Sequence, residues 1–222
     1  MLLAGSALFF SPITVDTATR MIYRMSSIMS SPEKERALRT LLEKIQRIAP
    51  SNASVLIRGG THSTRKAFAQ VIHALSHRRD APFIALDCST RNHTELECQL
   101  FGTQNETDDT KDSDNHGLIN AADGGTLFLD TLEACRGRLQ LRLHRLLDQG
   151  WRHDRKGIGS MSVNVRLIAG TACDLEELVL AGKFLDDLLY CISAVTLRIP
   201  LLCERQDEVV QTLEHLLQTP PM

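Results

Sequence analysis

A doubly wound α/β domain is the architecture this sequence predicts, on three observations. Five short runs, at 54–58, 83–88, 126–130, 163–170 and 195–199, are apolar at most positions, as expected for strands buried on both faces of a parallel sheet. Segments of helical or polar character lie between them, at 65–78, 94–101, 137–148 and 174–181. Strands alternating with helices are the mark of βαβ units. The chain has 222 residues, 43% hydrophobic and 23% charged, enough for one domain with a real core.

The elements follow in order. Residues 1–31 read as a lead-in. Its apolar start, Leu2-Leu3-Ala4-Gly5-Ser6-Ala7-Leu8-Phe9-Phe10, lacks the basic residues of a secretory signal and is too short to span a bilayer. It reads as a strand or packing segment. Ser31 is the expected N-cap of a first helix, with Pro32 at its first position. Leu38, Leu41, Leu42, Ile45 and Ile48 then keep helical spacing until Pro50-Ser51-Asn52. The α/β domain is expected over 32–209, followed by a short remnant at 210–222. Six cysteines without a C-x-x-C pair read as reduced thiols of a cytoplasmic protein. The eight histidines show no metal-ligand spacing beyond His73 and His77 at i, i+4.

The net charge of −2 argues against a chain that binds polyanions as a whole, yet it hides two patches. Glu106, Asp108, Asp109, Asp112 and Asp114 face one Lys111 within 103–116, a local −4. Between 136 and 166, Arg136, Arg138, Arg142, Arg145, Arg152, Arg155, Lys156 and Arg166 outnumber Asp148 and Asp154, a local +6. The basic segment reads as a solvated helix face or, alternatively, a partner surface. Trp151 reads as a packing residue in the turn that follows.

Ligands of doubly wound sheets bind at the carboxyl ends of the strands, here after Arg58, Asp130 and Gly170. After Arg58 comes Gly59-Gly60-Thr61-His62-Ser63-Thr64-Arg65-Lys66, where a phosphate loop would run. Such a loop needs G-x-x-x-x-G-K-[ST], so that backbone N–H groups wrap the phosphates and the lysine reaches the outer ones. In one register Thr64 takes the second glycine and Arg65 the lysine. In the other, Arg65 takes the glycine, Lys66 the lysine and Ala67 the metal-binding hydroxyl. Neither works, because a β-carbon enters the nest and arginine replaces a point-charge lysine poorly. The segment reads as a polar turn with at most a helix N-terminus's weak pull on anions. His62 within it reads as solvent-facing.

Longer motifs carry a resemblance. Val55-Leu56-Ile57-Arg58-Gly59 is similar to a strand entering Walker A. Ile72-His73 with Ser76-His77-Arg78 resembles IHxxSxR, which also explains the histidine pair. Residues 81–88 resemble PFVAVNC, 96–102 LESELFG, 122–130 the Walker B segment AxGGTLFLDE, 163–169 VDVRVIA, 184–190 FREDLYY, and 199–205 LPPLRER. Residues 32–209 thus resemble the AAA+ ATPase domain of bacterial enhancer-binding proteins, the sigma-54 interaction domain. That implies a three-layer P-loop NTPase core with a mainly parallel five-stranded sheet. The helical lid, the receiver domain and the helix-turn-helix domain of such proteins are expected to be absent, the lid mostly so.

The departures fall on the chemistry the resemblance implies. Walker A, GESGTGKE, keeps Gly59, and Arg65 stands at its lysine. Asp130, the one Walker B acid retained, precedes Thr131 in place of the glutamate that polarises water. Ala172 replaces the sensor asparagine of ATNRDL. Leu185 and Cys191 replace the two arginines that act in trans. Where the family carries its sigma-contacting GAFTGA loop, this chain carries Glu106-Thr107-Asp108-Asp109-Thr110-Lys111, read either as a solvated loop or as one re-aimed at a basic partner. No catalytic residue is expected. Gly59, Gly60, Ser63, Thr64, Arg65, Lys66 and Asp130 form a vestigial nucleotide and magnesium site, with ATP binding weak or absent. Three readings stay open. One is an inactive regulator that contacts an intact AAA+ activator or sigma-54 RNA polymerase without touching DNA. Another is a working activator using Lys66 and Asp187. The third is a relic.

Overall fold

The computed structural model describes residues 32–90, 92–102, 117–149, 152–155 and 159–199. Along the chain run α1 (Pro32–Ile48), β1 (Val55–Arg58), α2 (His62–Ala74), β2 (Phe83–Asp87), α3 (His93–Phe101), α4 (Gly117–Ala121) and β3 (Thr126–Asp130). A 3-10 turn (Leu132–Ala134), α5 (Arg138–Asp148), β4 (Arg152–Arg155) and β5 (Gly159–Ser162) come next, then β6 (Arg166–Thr171), α6 (Leu175–Leu180), α7 (Asp186–Ile192) and β7 (Val195–Arg198). The five expected strands form one parallel sheet in the order β2-β3-β6-β1-β7.

Side chains alternate across a strand, so each strand feeds two layers. Leu56, Leu127, Leu129, Leu167 and Ala169 pack with Leu96, Leu100, Leu139, Leu143 and Leu188 of α3, α5 and α7. Their neighbours Val55, Ile57, Phe128, Ile168 and Leu197 pack with Leu41, Ile45, Phe68 and Ile72 of α1 and α2. The result is three layers, with β3 and β6 buried along their whole length.

The structure corrects several expectations. Helix α2 begins at His62, three residues before the expected start, because Thr61 caps it with its hydroxyl. The strand expected over 163–170 begins at Arg166. A hairpin of β4 and β5 and the helices α4 and α7 were not foreseen. Arg166 is buried rather than solvated. Its guanidinium donates to the carbonyls of Ala49, at 2.5 Å, and Ile48, at 3.0 Å. The C-terminal dipole of α1 thus faces a cation, although burial, and then Arg78, lower the Arg166 pKa to about 10. Arg142 lies 3.8 Å over the Phe101 ring and pairs with Glu97. Cys88, Cys98, Cys135, Cys173 and Cys191 are free thiols.

Outside the described residues lie Ser31, Trp151, the segments 1–31 and 200–222 with Cys203, and the acidic loop with Glu106, Thr107, Asp108, Asp109, Thr110 and Lys111. Gly117 packs directly on Gly102, since a Cβ on Gly117 would lie 2.5 Å from the Gly102 nitrogen and 2.6 Å from the Leu100 oxygen. His73 is a core group, 2.9 Å from the Thr126 hydroxyl and tilted at 50° against Phe83 with centroids 5.3 Å apart. His77 is exposed.

Two stability measurements check this packing. Burial lowers the His73 pKa from 6.5 to about 4, so between those values the unfolded chain binds the proton and the native state does not. Stability present above pH 6.5 therefore falls by up to about 3 kcal/mol as pH drops towards 4. Urea melts of His73→Gln at neutral pH and near pH ~4.5 should show a smaller acid loss than wild type. An equal loss would assign the effect to other groups. Arg166→Met, which strands two carbonyls at the end of α1, should cost about 2–4 kcal/mol in the same assay.

Candidate functional site

The carboxyl ends of β1, β3 and β6 bring the site together. After β1 the chain turns through Gly59 and Gly60, with φ of 84° and 68°, values that glycine takes without steric cost. The turn is short because α2 starts at once. Three of its amides bond locally: Gly59 N–H donates to Thr171 O at 2.9 Å, Thr64 N–H to the Thr61 hydroxyl at 3.3 Å, and Arg65 N–H to Thr61 O at 3.0 Å.

Arg65, on the first turn of α2, is 3% exposed and reaches back under this turn. Its Nε donates to Asp130 Oδ1 at 2.6 Å and one Nη to Oδ2 at 3.0 Å, a two-pronged ion pair with a fully buried carboxylate. The other Nη donates to Gly60 O at 2.8 Å and, at 3.5 Å, to Gly59 O. The glycine turn therefore aims carbonyl oxygens at the site's centre. A phosphate cradle aims N–H groups there.

His62 completes the cluster. Its Nδ1–H donates to Asp130 Oδ2 at 2.5 Å and lies 3.6 Å from Asp87 Oδ2. Burial alone would raise the Asp87 carboxyl, but hydrogen bonds from Ser89 and Thr131 hold it below the usual carboxylate range. Thr131 sits in the left-handed region at φ 55°, the one such non-glycine residue among those described, a strained backbone for a β-branched side chain. Beyond the 3-10 turn, Glu133 accepts from the Thr171 hydroxyl at 2.8 Å and from Ala172 N–H at 3.2 Å. Arg58 donates to Glu176 at 2.8 Å and Asp174 at 3.1 Å. The bonded groups of this rim thus set Asp87, Asp130, Glu133, Asp174 and Glu176 against Arg58 and Arg65.

Of the residues singled out from the sequence, Gly59, Gly60, Arg65 and Asp130 converge. Thr64 is buried in the cap, 2.8 Å from the Thr61 hydroxyl. Ser63 is exposed and Lys66 half-buried, and neither bonds Asp130. Asp187 is an exposed residue of α7. His62 is exposed, as expected, and in addition bonds Asp130, while Asp87 and Glu133 were not among the expected site residues. His62 stands three residues before Arg65, so a helix starting at 62 would have put both on one face.

The Sigma-54 interaction domain family matches residues 32–198. The chain belongs to this family. The transcriptional regulatory protein ZraR of Salmonella typhimurium is 37% identical over 194 residues, 86% of this chain and 42% of that protein. GlrR of Escherichia coli K12, also a transcriptional regulatory protein, is 37% identical over 178 residues, 80% of this chain and 40% of its own. NtrX from Brucella abortus in complex with ADP superposes with a TM-score of 0.69 at 30% identity, covering 84% of this chain and 40% of NtrX. The P-loop NTPase domain of an Escherichia coli sigma-54 activator has the same fold at 19% identity and a TM-score of 0.51, covering 74% of this chain and 95% of that one. The fold is therefore an AAA+ P-loop NTPase core of the sigma-54 interaction type. The chain spans less than half the length of ZraR and GlrR. Among the described residues no helix is long and apolar enough to cross a membrane.

Breaking the Arg65–Asp130 pair on one side strands a buried carboxylate. Arg65→Ala should therefore lose about 3–5 kcal/mol of stability. Arg65→Met/Asp130→Leu, which removes both charges, should recover most of it in chemical denaturation; equal losses would mean that the pair's charge is not what matters.

Proposed function

We propose that this is a sigma-54-interaction-type AAA+ domain that neither holds nor hydrolyses nucleotide and acts in cytoplasmic transcription regulation through protein–protein contact. The observation that carries this reading is the Arg65 guanidinium locked onto Asp130 and the Gly60 carbonyl. The residues present do not fit a magnesium–nucleotide. Asp130, the acid that would face the metal, already accepts from Arg65 and His62 on both of its oxygens. The loop that would cradle phosphates turns carbonyl oxygens inward, and the surrounding rim carries more carboxylates than cations. Each repels a polyphosphate. The base and the trans-acting arginines of the family's mechanism have no counterpart at Thr131, Leu185 and Cys191.

On this reading Gly59, Gly60, Ser63, Thr64, Arg65, Lys66 and Asp130 are a former nucleotide site, and the 32–209 domain is retained for its surface. The partner is a protein, either an intact activator of the same family or sigma-54 RNA polymerase. The altered loop with Glu106, Asp108 and Asp109 is the segment that sets the choice. Direct DNA contact is not part of this function.

Phosphate release by malachite green and calorimetric titration with magnesium and ATP test the reading together. Neither turnover nor heat should appear at millimolar nucleotide. Magnesium-dependent release that vanishes in Asp130→Ala would overturn it.

A further inference from the structure

Gly170 is the next-to-last residue of β6, opposite Ile57 of β1, and it does not need a left-handed backbone, because its φ is not among the positive ones. Glycine inside a buried strand costs backbone entropy and packs nothing, so the position needs a steric reason. A Cβ there would run into Asp130 Oδ1, while lying 3.0 Å from Asp130 Cγ and 3.3 Å from Arg65 Cδ. The Asp130 carboxylate and the Arg65 stem fill the volume that an alanine methyl would take. The motif that this segment resembles, ATNRDL, has that alanine, just as Walker A has lysine where Arg65 stands.

We propose that Gly170 is the positioning residue of the lock. By leaving out one methyl it lets the Asp130 carboxylate lie against the strand, in reach of both prongs of Arg65. Residues 65, 130 and 170 then act as one steric unit, and the closed site is built rather than left over from drift. This rests on the reading above that the site is closed to nucleotide. Lysine at 65 would not need the arrangement, because an ammonium has no planar fork to hold a carboxylate in one orientation.

A thermal-melt cycle on the full chain tests the coupling, using wild type, Gly170→Ala, Arg65→Lys and the double variant. Gly170→Ala should lower Tm by on the order of 5–10 °C in wild type. In the Arg65→Lys background the loss should be under about half of that, because an unpinned carboxylate swings away from the new methyl. Equal losses in both backgrounds would overturn the proposal. Should Gly170→Ala fail to fold, Arg65→Met/Asp130→Ala is compared with and without Gly170→Ala. The triple variant should fold with a Tm within about 2 °C of the double; its failure would place the clash elsewhere and overturn the proposal. Titrating wild type with magnesium and ATP separates the two claims. Binding there would defeat the closed-site reading whatever the cycle shows, whereas equal losses with a silent titration defeat only the role of Gly170.

Discussion

A carboxylate with no exposed surface at the edge of a parallel sheet must be neutralised, and in this protein the counter-charge is Arg65. The Asp130 ion pair ties α2 to β3 and, through the glycine turn, to β1. Around it the other polar groups find partners: His62 on Asp130, Arg58 on Asp174 and Glu176, and Glu133 on the Thr171 hydroxyl and the Ala172 N–H. An NTPase keeps such an edge open for a ligand that supplies its own phosphates and metal. Here the side chains meet one another's demand, and the loop geometry follows, with carbonyls turned towards the guanidinium that needs acceptors.

That arrangement separates the framework from the chemistry. The three layers rest on apolar alternation in β1, β3 and β6 and on Arg166 closing the end of α1. None of this requires a ligand at the opposite edge. A domain whose former ligand site is filled by its own side chains can keep its surface while the bases, sensors and trans-acting arginines of the catalytic cycle drift. Thr131 fits this view. It takes a left-handed backbone where the resembled motif has its glutamate, and its hydroxyl serves Asp87.

Much of the fold was legible because buried parallel strands read as continuous apolar runs, and all five expected strands pair in the sheet. The helices α4 and α7 escaped notice because a five- or seven-residue element gives too few turns for a period to emerge. The hairpin of β4 and β5, with sequences RHDR and GSMS, carries no apolar alternation at all. At the site, the departure of Thr64 and Arg65 from G-x-x-x-x-G-K-[ST] was readable in the sequence. The side-chain pairing was not, since the Arg65–Asp130 pair spans 65 residues of sequence and Gly170 matters only through the two side chains that crowd it. Thr61 capping was the readable signal that was passed over. A cap there starts α2 early and sets His62 and Arg65 one turn apart on the Asp130 side.

The occupancy of the site by Arg65 is open to direct observation. In a 1H–15N spectrum focused on arginine Nε–H groups, assigned with Arg65→Lys, the Arg65 resonance should be downfield-shifted and slow to exchange with solvent, as a buried two-pronged ion pair requires. It should stay unmoved when magnesium and ATP are added at millimolar concentration. A rapidly exchanging Arg65 resonance, or one that shifts saturably with nucleotide, would contradict the closed site on which the functional reading stands.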